Sequence, residues 1–136
     1  MNYEVLEHTA DIGFEARGLT FEDMLANAAM ALVSIALDVQ GVAPREPYPI
    51  AAKGEDRGSL LVNWLNEVLY YVDGQLIAFE HFEIKQCGEW QACGIGYGEP
   101  RSEAHPAKLI VKGVTYHQLQ IDQDESGWRC RVFLDI

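Results

Sequence analysis

Tyr3–Leu6 and Phe14–Arg17 alternate apolar and polar side chains and read as two short strands. Between them lies the polar stretch His8-Thr9-Ala10-Asp11, and Gly13 frees the backbone near the second strand. Asp11 is therefore expected at or beside a turn. Thr20-Phe21-Glu22-Asp23 has the form of a capping box, and Phe21, Met24, Leu25, Ala28, Ala29, Leu32, Val33 and Ala36 recur on one helical face. This spacing predicts a helix ending near Asp38. Pro44, Pro47 and Pro49 forbid regular helix from Gly41 onward and predict a loop that leads into a short extended segment at Ile50–Lys53.

A second helix follows. Asp56 or Ser59 supplies its cap, Leu61, Trp64, Leu65, Val68, Leu69 and Val72 form its buried stripe, and Asp73-Gly74 closes it. Beyond Gln75 the period falls to two. Phe82 and Ile84 alternate with Glu83 and Lys85, and Trp90, Ala92 and Gly94 alternate with Gln91, Cys93 and Ile95, with Cys87-Gly88-Glu89 turning a hairpin between them. Gly98 to Pro106 reads as a loop, and Leu109–Ile121 and Trp128–Ile136 as two long strands joined by a turn at Asp122–Gly127. The order predicts an α+β class: largely antiparallel sheet packed with two main helices, in one domain over residues 1–136, since the terminal strands lack helical crossovers.

Composition narrows the function. With 49% hydrophobic and 23% charged residues the chain has enough apolar surface for a core throughout. The 21 Asp and Glu against 10 Lys and Arg leave a net charge of −11, which opposes direct contact with a phosphate backbone and suits solubility, a basic partner protein or a hard cation. The N-terminus is acidic where a secretory signal would be basic, and no apolar run approaches the roughly 18 residues of a membrane span, so a cytoplasmic location without membrane contact is expected. Cys87, Cys93 and Cys130 are odd in number and form no C-x-x-C, so free, buried or half-buried thiols are expected rather than a disulfide framework or zinc knuckle.

Candidate chemistry is sparse. His8, Thr9 and Asp11 bring an imidazole, a hydroxyl and a carboxylate close together, although a turn aspartate bonded to nearby backbone N–H groups is the plainer account of Asp11. In the last strand Asp135 projects from the face opposite Val132 and Leu134, next to the terminal carboxylate of Ile136. Two anionic groups at one spot favour a cation or a basic partner, whereas a solvated acid at a strand end is the plainer account. In Val111–His117 the alternation sets Lys112, Val114 and Tyr116 on one face and Gly113, Thr115 and His117 on the other. Lys112 serves either to bridge acids or as a surface lysine, and His117 as a cross-strand packing residue. Gly94-Ile95-Gly96-Tyr97-Gly98 opens no helix, so it is not a phosphate loop.

Taken together, several segments resemble the archease family: Glu7-His8-Thr9-Ala10-Asp11-Ile12-Gly13, Leu60–Tyr70, Gly98-Glu99-Pro100, Val111–His117 and the Leu134-Asp135-Ile136 ending. Gly113 departs from the pattern, standing where a small residue, usually alanine, is expected. The resemblance implies an accessory protein, not an enzyme, that assists an RtcB-type RNA ligase in tRNA splicing and RNA repair. It implies that the protein promotes guanylylation of the ligase and its repeated turnover, and broadens the nucleoside triphosphates accepted. It also implies a divalent-metal site made by Asp11, Asp135 and Ile136, with calcium foremost and magnesium or manganese as alternatives; oxygen donors suit such hard cations. His8, Lys112 and His117 would be supporting or partner-facing residues, and RNA would be reached only through the ligase. The rival expectations are a chaperone-like module that modulates nucleic-acid-processing proteins and an independent metal-dependent hydrolase, which would need a general base beside the metal.

Overall fold

Thr20 ends an extended segment and its Oγ1 accepts the Asp23 N–H at 3.0 Å, which satisfies one free donor of the first turn and starts helix α1 (Phe21–Ala36). Helix α2 (Arg57–Leu69) begins with a reciprocal pair: Ser59 N donates to Asp56 Oδ1 at 2.8 Å, and Asp56 N donates to Ser59 Oγ at 3.2 Å. Asp56 and Ser59 thus share the capping that the sequence assigned to one or the other. A π-turn at Tyr70–Gly74 extends α2 and buries Val72. The computed structural model describes residues 2–7 and 11–136.

The strands in chain order are β1 (Tyr3–Glu7), β2 (Asp11–Gly18), β3 (Glu46–Lys53), β4 (Ile77–Gly88), β5 (Gln91–Pro100), β6 (Gly113–Val114), β7 (Gln120–Asp124) and β8 (Gly127–Asp135). All pair antiparallel, in two sheets. One runs β1-β2-β8-β6, with β7 also on β8; the other runs β3-β5-β4. The helices form the layer between them: α1 packs on β2 and β8 of the first sheet and on β4 of the second, and α2 packs on β3 and α1. The α+β architecture expected from the element order is therefore the one observed.

Trp64 joins these layers. It is fully buried, its indole N–H donates to the Leu25 carbonyl of α1 at 3.0 Å, and its ring meets Phe82 of β4 edge-on at 6.1 Å. Beneath it, the inward face of β5 reads Ala92, Gly94, Gly96, Gly98, all buried. A Cβ on Gly94 would come 2.8 Å from Trp64 Cη2, one on Gly96 would strike the Phe79 ring, and one on Gly98 the Ala78 carbonyl. The Gly-x-Gly-x-Gly run is thus a flat bed for aromatic side chains.

Several expectations are corrected. β3 starts at Glu46, not Ile50, and runs through Pro47 and Pro49. It is an edge strand, and prolines two residues apart turn their donor-less nitrogens the same way, toward the unpaired side. The single strand expected over Leu109–Ile121 breaks into β6 and β7, because Gln118 adopts φ 51° in a turn closed by Leu119 N donating to Tyr116 O at 3.2 Å. Trp90 belongs to the β4–β5 turn, with φ 52°, and not to the strand alternation. Cys87 and Cys93 are not free: a disulfide joins them, Cα–Cα 5.7 Å, across the hairpin end. Cys130 is the free, buried thiol expected, and burial pushes its pKa up to about 12.

Trp64→Ala is expected to destabilise the fold by about 3–5 kcal/mol, the range for truncating a large buried aromatic. Trp64→Phe, which keeps a ring but removes the indole donor while the Leu25 carbonyl keeps its helix bond, is expected to cost less, about 0.5–1.5 kcal/mol for the lost hydrogen bond. Denaturant titration of both variants checks the order.

Candidate functional site

The inward residues of the first sheet determine what meets at its end. Phe14 and Ala16 of β2 stand opposite Val132 and Cys130 of β8, all buried, and the same register continues through Ile12 opposite Leu134 to Asp11 opposite Asp135. Directly opposed antiparallel residues point to one face, with Cβ atoms typically about 4.5–5.5 Å apart. The two aspartates, from the two ends of the chain, thus share the outer face of the sheet's last rung. On the other side of β8, Gly113 of β6 also pairs with Asp135, and Lys112 N donates to Asp135 O at 2.7 Å. Ile136 follows directly and is exposed.

The rows behind this rung support it. Gly13 opposes Phe133, and a Cβ there would lie 2.7 Å from the Phe133 ring, so glycine lets that ring lie over β2 while remaining buried. Thr115 N and Oγ1 both donate to Phe133 O, at 3.1 and 3.0 Å, and the His117 ring meets the Phe133 ring edge-on at 6.2 Å. One row further, Arg131 Nε and Nη2 donate to Glu15 Oε2 at 3.1 and 2.6 Å. That hydrogen bond, helped by the charges of Arg131, Arg129 and Arg17, lowers the Glu15 pKa against the opposing effect of burial.

Of the residues singled out in the sequence, Asp11, Asp135 and Ile136 come together. Lys112 is exposed and stands in the loop just before β6, so it shares no strand face with Val114 and Tyr116 as expected. His117 is exposed in the turn after β6 and packs on Phe133, close to its expected cross-strand role. His8 lies outside the described residues. Gly113 has no atom within 4 Å of an added Cβ, so the alanine expected there would fit equally well. Phe133, Thr115 and the Glu15–Arg131 pair were missed. The signal for them was the alternation of β8 itself, which puts Arg129, Arg131 and Phe133 on the same face as Asp135.

For a cation, the donors at this rung are oxygens: the carboxylates of Asp11 and Asp135 and the main chain of Ile136. That set suits calcium, magnesium or manganese and does not suit zinc. Among the described residues no group of three or more His, Cys, Asp and Glu side chains converges. A cation here would therefore keep coordination positions open to water or to a partner's groups.

Comparison with known proteins agrees over the full length. The family model described as Archease protein family (MTH1598/TM1083) matches residues 3–136. The chain is 36% identical to the archease of Methanosarcina mazei over 98% of this chain and 95% of that protein. It is 36% identical to the archease of Methanopyrus kandleri over 100% of both. The solution structure of protein 1598 of Methanobacterium thermoautotrophicum superposes with TM-score 0.87 at 33% identity, covering 99% of each chain. A crystal structure from Thermotoga maritima, described as an archease and possible chaperone, shares the fold with TM-score 0.69 at 22% identity, over 96% of this chain and 94% of that one.

Two outcomes are expected from this geometry. Like charges opposed on a ladder destabilise it, so Asp11→Asn should leave the metal-free melting temperature unchanged or raise it. A fall of several degrees would make Asp11 structural. Glu15 has a depressed pKa in the fold, so its contribution is fully present above its ordinary value of 4.5 and disappears as pH drops through the depressed one. Arg131 is 41% exposed, which limits the pair to at most about 1 kcal/mol. Glu15→Gln should remove that contribution at neutral pH and flatten the acid limb of the stability curve, as read by denaturant midpoints across pH.

Proposed function

Because the chain belongs to the archease family, we propose that it is a non-catalytic accessory protein that activates an RtcB-type RNA ligase through a divalent-metal-bearing acidic tip formed by Asp11, Asp135 and Ile136. The observation that carries this reading is the register of β2 on β8, which sets the two aspartates opposite each other beside Ile136. When bound, the cation would supply a positive centre with open positions at the rim of an acidic surface. This chain's own residues do the rest. Asp11 and Asp135 hold the charge, the Lys112 N–H bond to the Asp135 carbonyl ties down the strand end, and the Phe133 ring over Gly13 packs the row behind the rung. Calcium is the first candidate ion, with magnesium and manganese as alternatives.

Activation of a partner suits this arrangement better than independent catalysis, since among the described residues the rung offers oxygen donors and no adjacent general base. The charge of −11 argues against a direct hold on RNA, so RNA is reached through the ligase. In this reading the tip enters the ligase's cleft and assists its guanylylation. The chaperone-like alternative rests on the description of the Thermotoga maritima structure.

Labelling of the ligase by radioactive GTP tests the proposal. The wild-type protein should raise the labelling rate when present below one equivalent, and should not become labelled itself. Asp11→Ala and Asp135→Asn should abolish the stimulation and weaken calcium, magnesium and manganese binding in calorimetric titration, with the fold retained by circular dichroism. Unchanged stimulation and metal affinity in both variants would remove the metal tip. Stimulation of unrelated nucleic-acid-processing enzymes to the same degree would favour the chaperone-like role.

A further inference from the structure

The tip of the β4–β5 hairpin ends in a covalent ring with no part in the acidic rung. In a regular ladder Cys87 would oppose Gln91 and lie diagonal to Cys93, at roughly 7–8 Å. A bulge between Gln86 and Gly88 shifts Cys87 and brings the two Cα atoms to 5.7 Å, within the span of about 4.4–6.8 Å that a disulfide needs. The bond that joins them encloses Trp90, a non-glycine residue held at φ 52°, in the sparsely populated left-handed region.

Trp90 joins this tip to the rest of the molecule beside the pairing of Gln91 with Lys53 of β3. Its carbonyl accepts the Gly54 N–H at 2.9 Å, and the Arg57 guanidinium lies 5.3 Å from its ring and 4.9 Å from the Trp128 ring. Among the described residues the Arg57 guanidinium has no hydrogen bond or ion pair, so the two indoles are what hold it. Trp90, Arg57 and Trp128 together form the wall shared by two neighbouring clefts.

The disulfide is open to reagents. Cys87 is exposed, Cys93 is half-buried, and both line an open cavity of about 500 Å³ together with Lys53, Asn63 and Glu67. Lys85 stands directly opposite Cys93 on the same face, and a nearby ammonium group favours the thiolate as a leaving group. We propose that Cys87–Cys93 is a reversible redox site, reduced by a dithiol and reformed by a small disulfide such as oxidised glutathione, whose state determines whether Trp90 stays seated on Arg57.

In the forward step a thiolate of the dithiol attacks Cys87 Sγ, the Cys87–Cys93 bond breaks, and Cys93 leaves as a thiolate that takes up a proton. The second thiol then attacks the mixed disulfide, freeing Cys87 as a thiolate that is protonated in turn, and the reductant departs as its own disulfide. Two electrons and two protons have passed to the protein. With the ring open, no covalent closure holds Trp90 in its left-handed conformation, and the hairpin pairing with the Gly54 and Arg57 contacts must hold it.

The test uses the whole chain, oxidised with glutathione disulfide and then treated with dithiothreitol. Alkylation read by mass spectrometry should gain both thiols of the pair, Trp emission should shift to the red, and the Gly54 amide should exchange roughly tenfold faster. Reoxidation should reverse all three. Cys87→Ser should behave as the reduced form under both conditions, and Trp90→Phe should lose the emission change while retaining the alkylation change. A pair that resists the dithiol, or that never forms in glutathione disulfide, overturns the proposal. So does reduction that leaves Gly54 exchange and Trp emission unmoved.

Discussion

One buried side chain ties the layers together. Trp64 hangs from α2, gives its indole proton to the carbonyl of Leu25 in α1, and rests on the bare backbone of Gly94 in β5. Each of these contacts requires the others. The hydrogen bond sets how closely the two helices approach, and the glycine sets how closely the second sheet approaches both. With the helices held in this way as the middle layer, the inward faces of both sheets are covered and the outward face of the first sheet is left for function.

That outward face takes its accuracy from the inward one. A slip of one residue between β2 and β8 would turn Phe14, Ala16, Val132 and Leu134 out of the core, so apolar packing forbids it. Asp11 and Asp135 could not choose their own apposition, because two carboxylates repel. They are held by neighbours that gain from being buried, an arrangement in which the core pays for charge repulsion at its rim. The Glu15–Arg131 pair and the Phe133 ring on Gly13 occupy the rows between, so the rung is backed along the sheet by directed contacts.

What was legible in the sequence is what local physics controls. The cap at Thr20, the box at Asp56 and Ser59, and the apolar stripes of both helices depend on neighbours three or four residues away. Where distant partners decide, the reading went astray. Pro47 and Pro49 look like strand breakers until β3 is known to be an edge, and the apolar run around Val111–His117 looks like one strand until Gln118 turns it. Cys87 and Cys93 bracket the expected hairpin turn, yet their pairing depends on a bulge that no spacing rule supplies. In the sequence Asp11 is placed only at or beside a turn and Asp135 only on the last strand. Resemblance to a family joined them in advance, and the β2–β8 register is the physical reason they meet.

The prolines of β3 have a consequence for how molecules of this chain behave toward one another. A sheet edge is a template on which a second chain can add a strand, and the β3-β5-β4 sheet has two such edges. On β3, two nitrogens that carry no hydrogen interrupt the row of donors an incoming strand would need. On β4, the irregularities near Glu80 and Cys87 break the straight run of the opposite edge. Both ends of this sheet are thus poor seeds for intermolecular β-structure, a safeguard against aggregation for a chain rich in apolar strands.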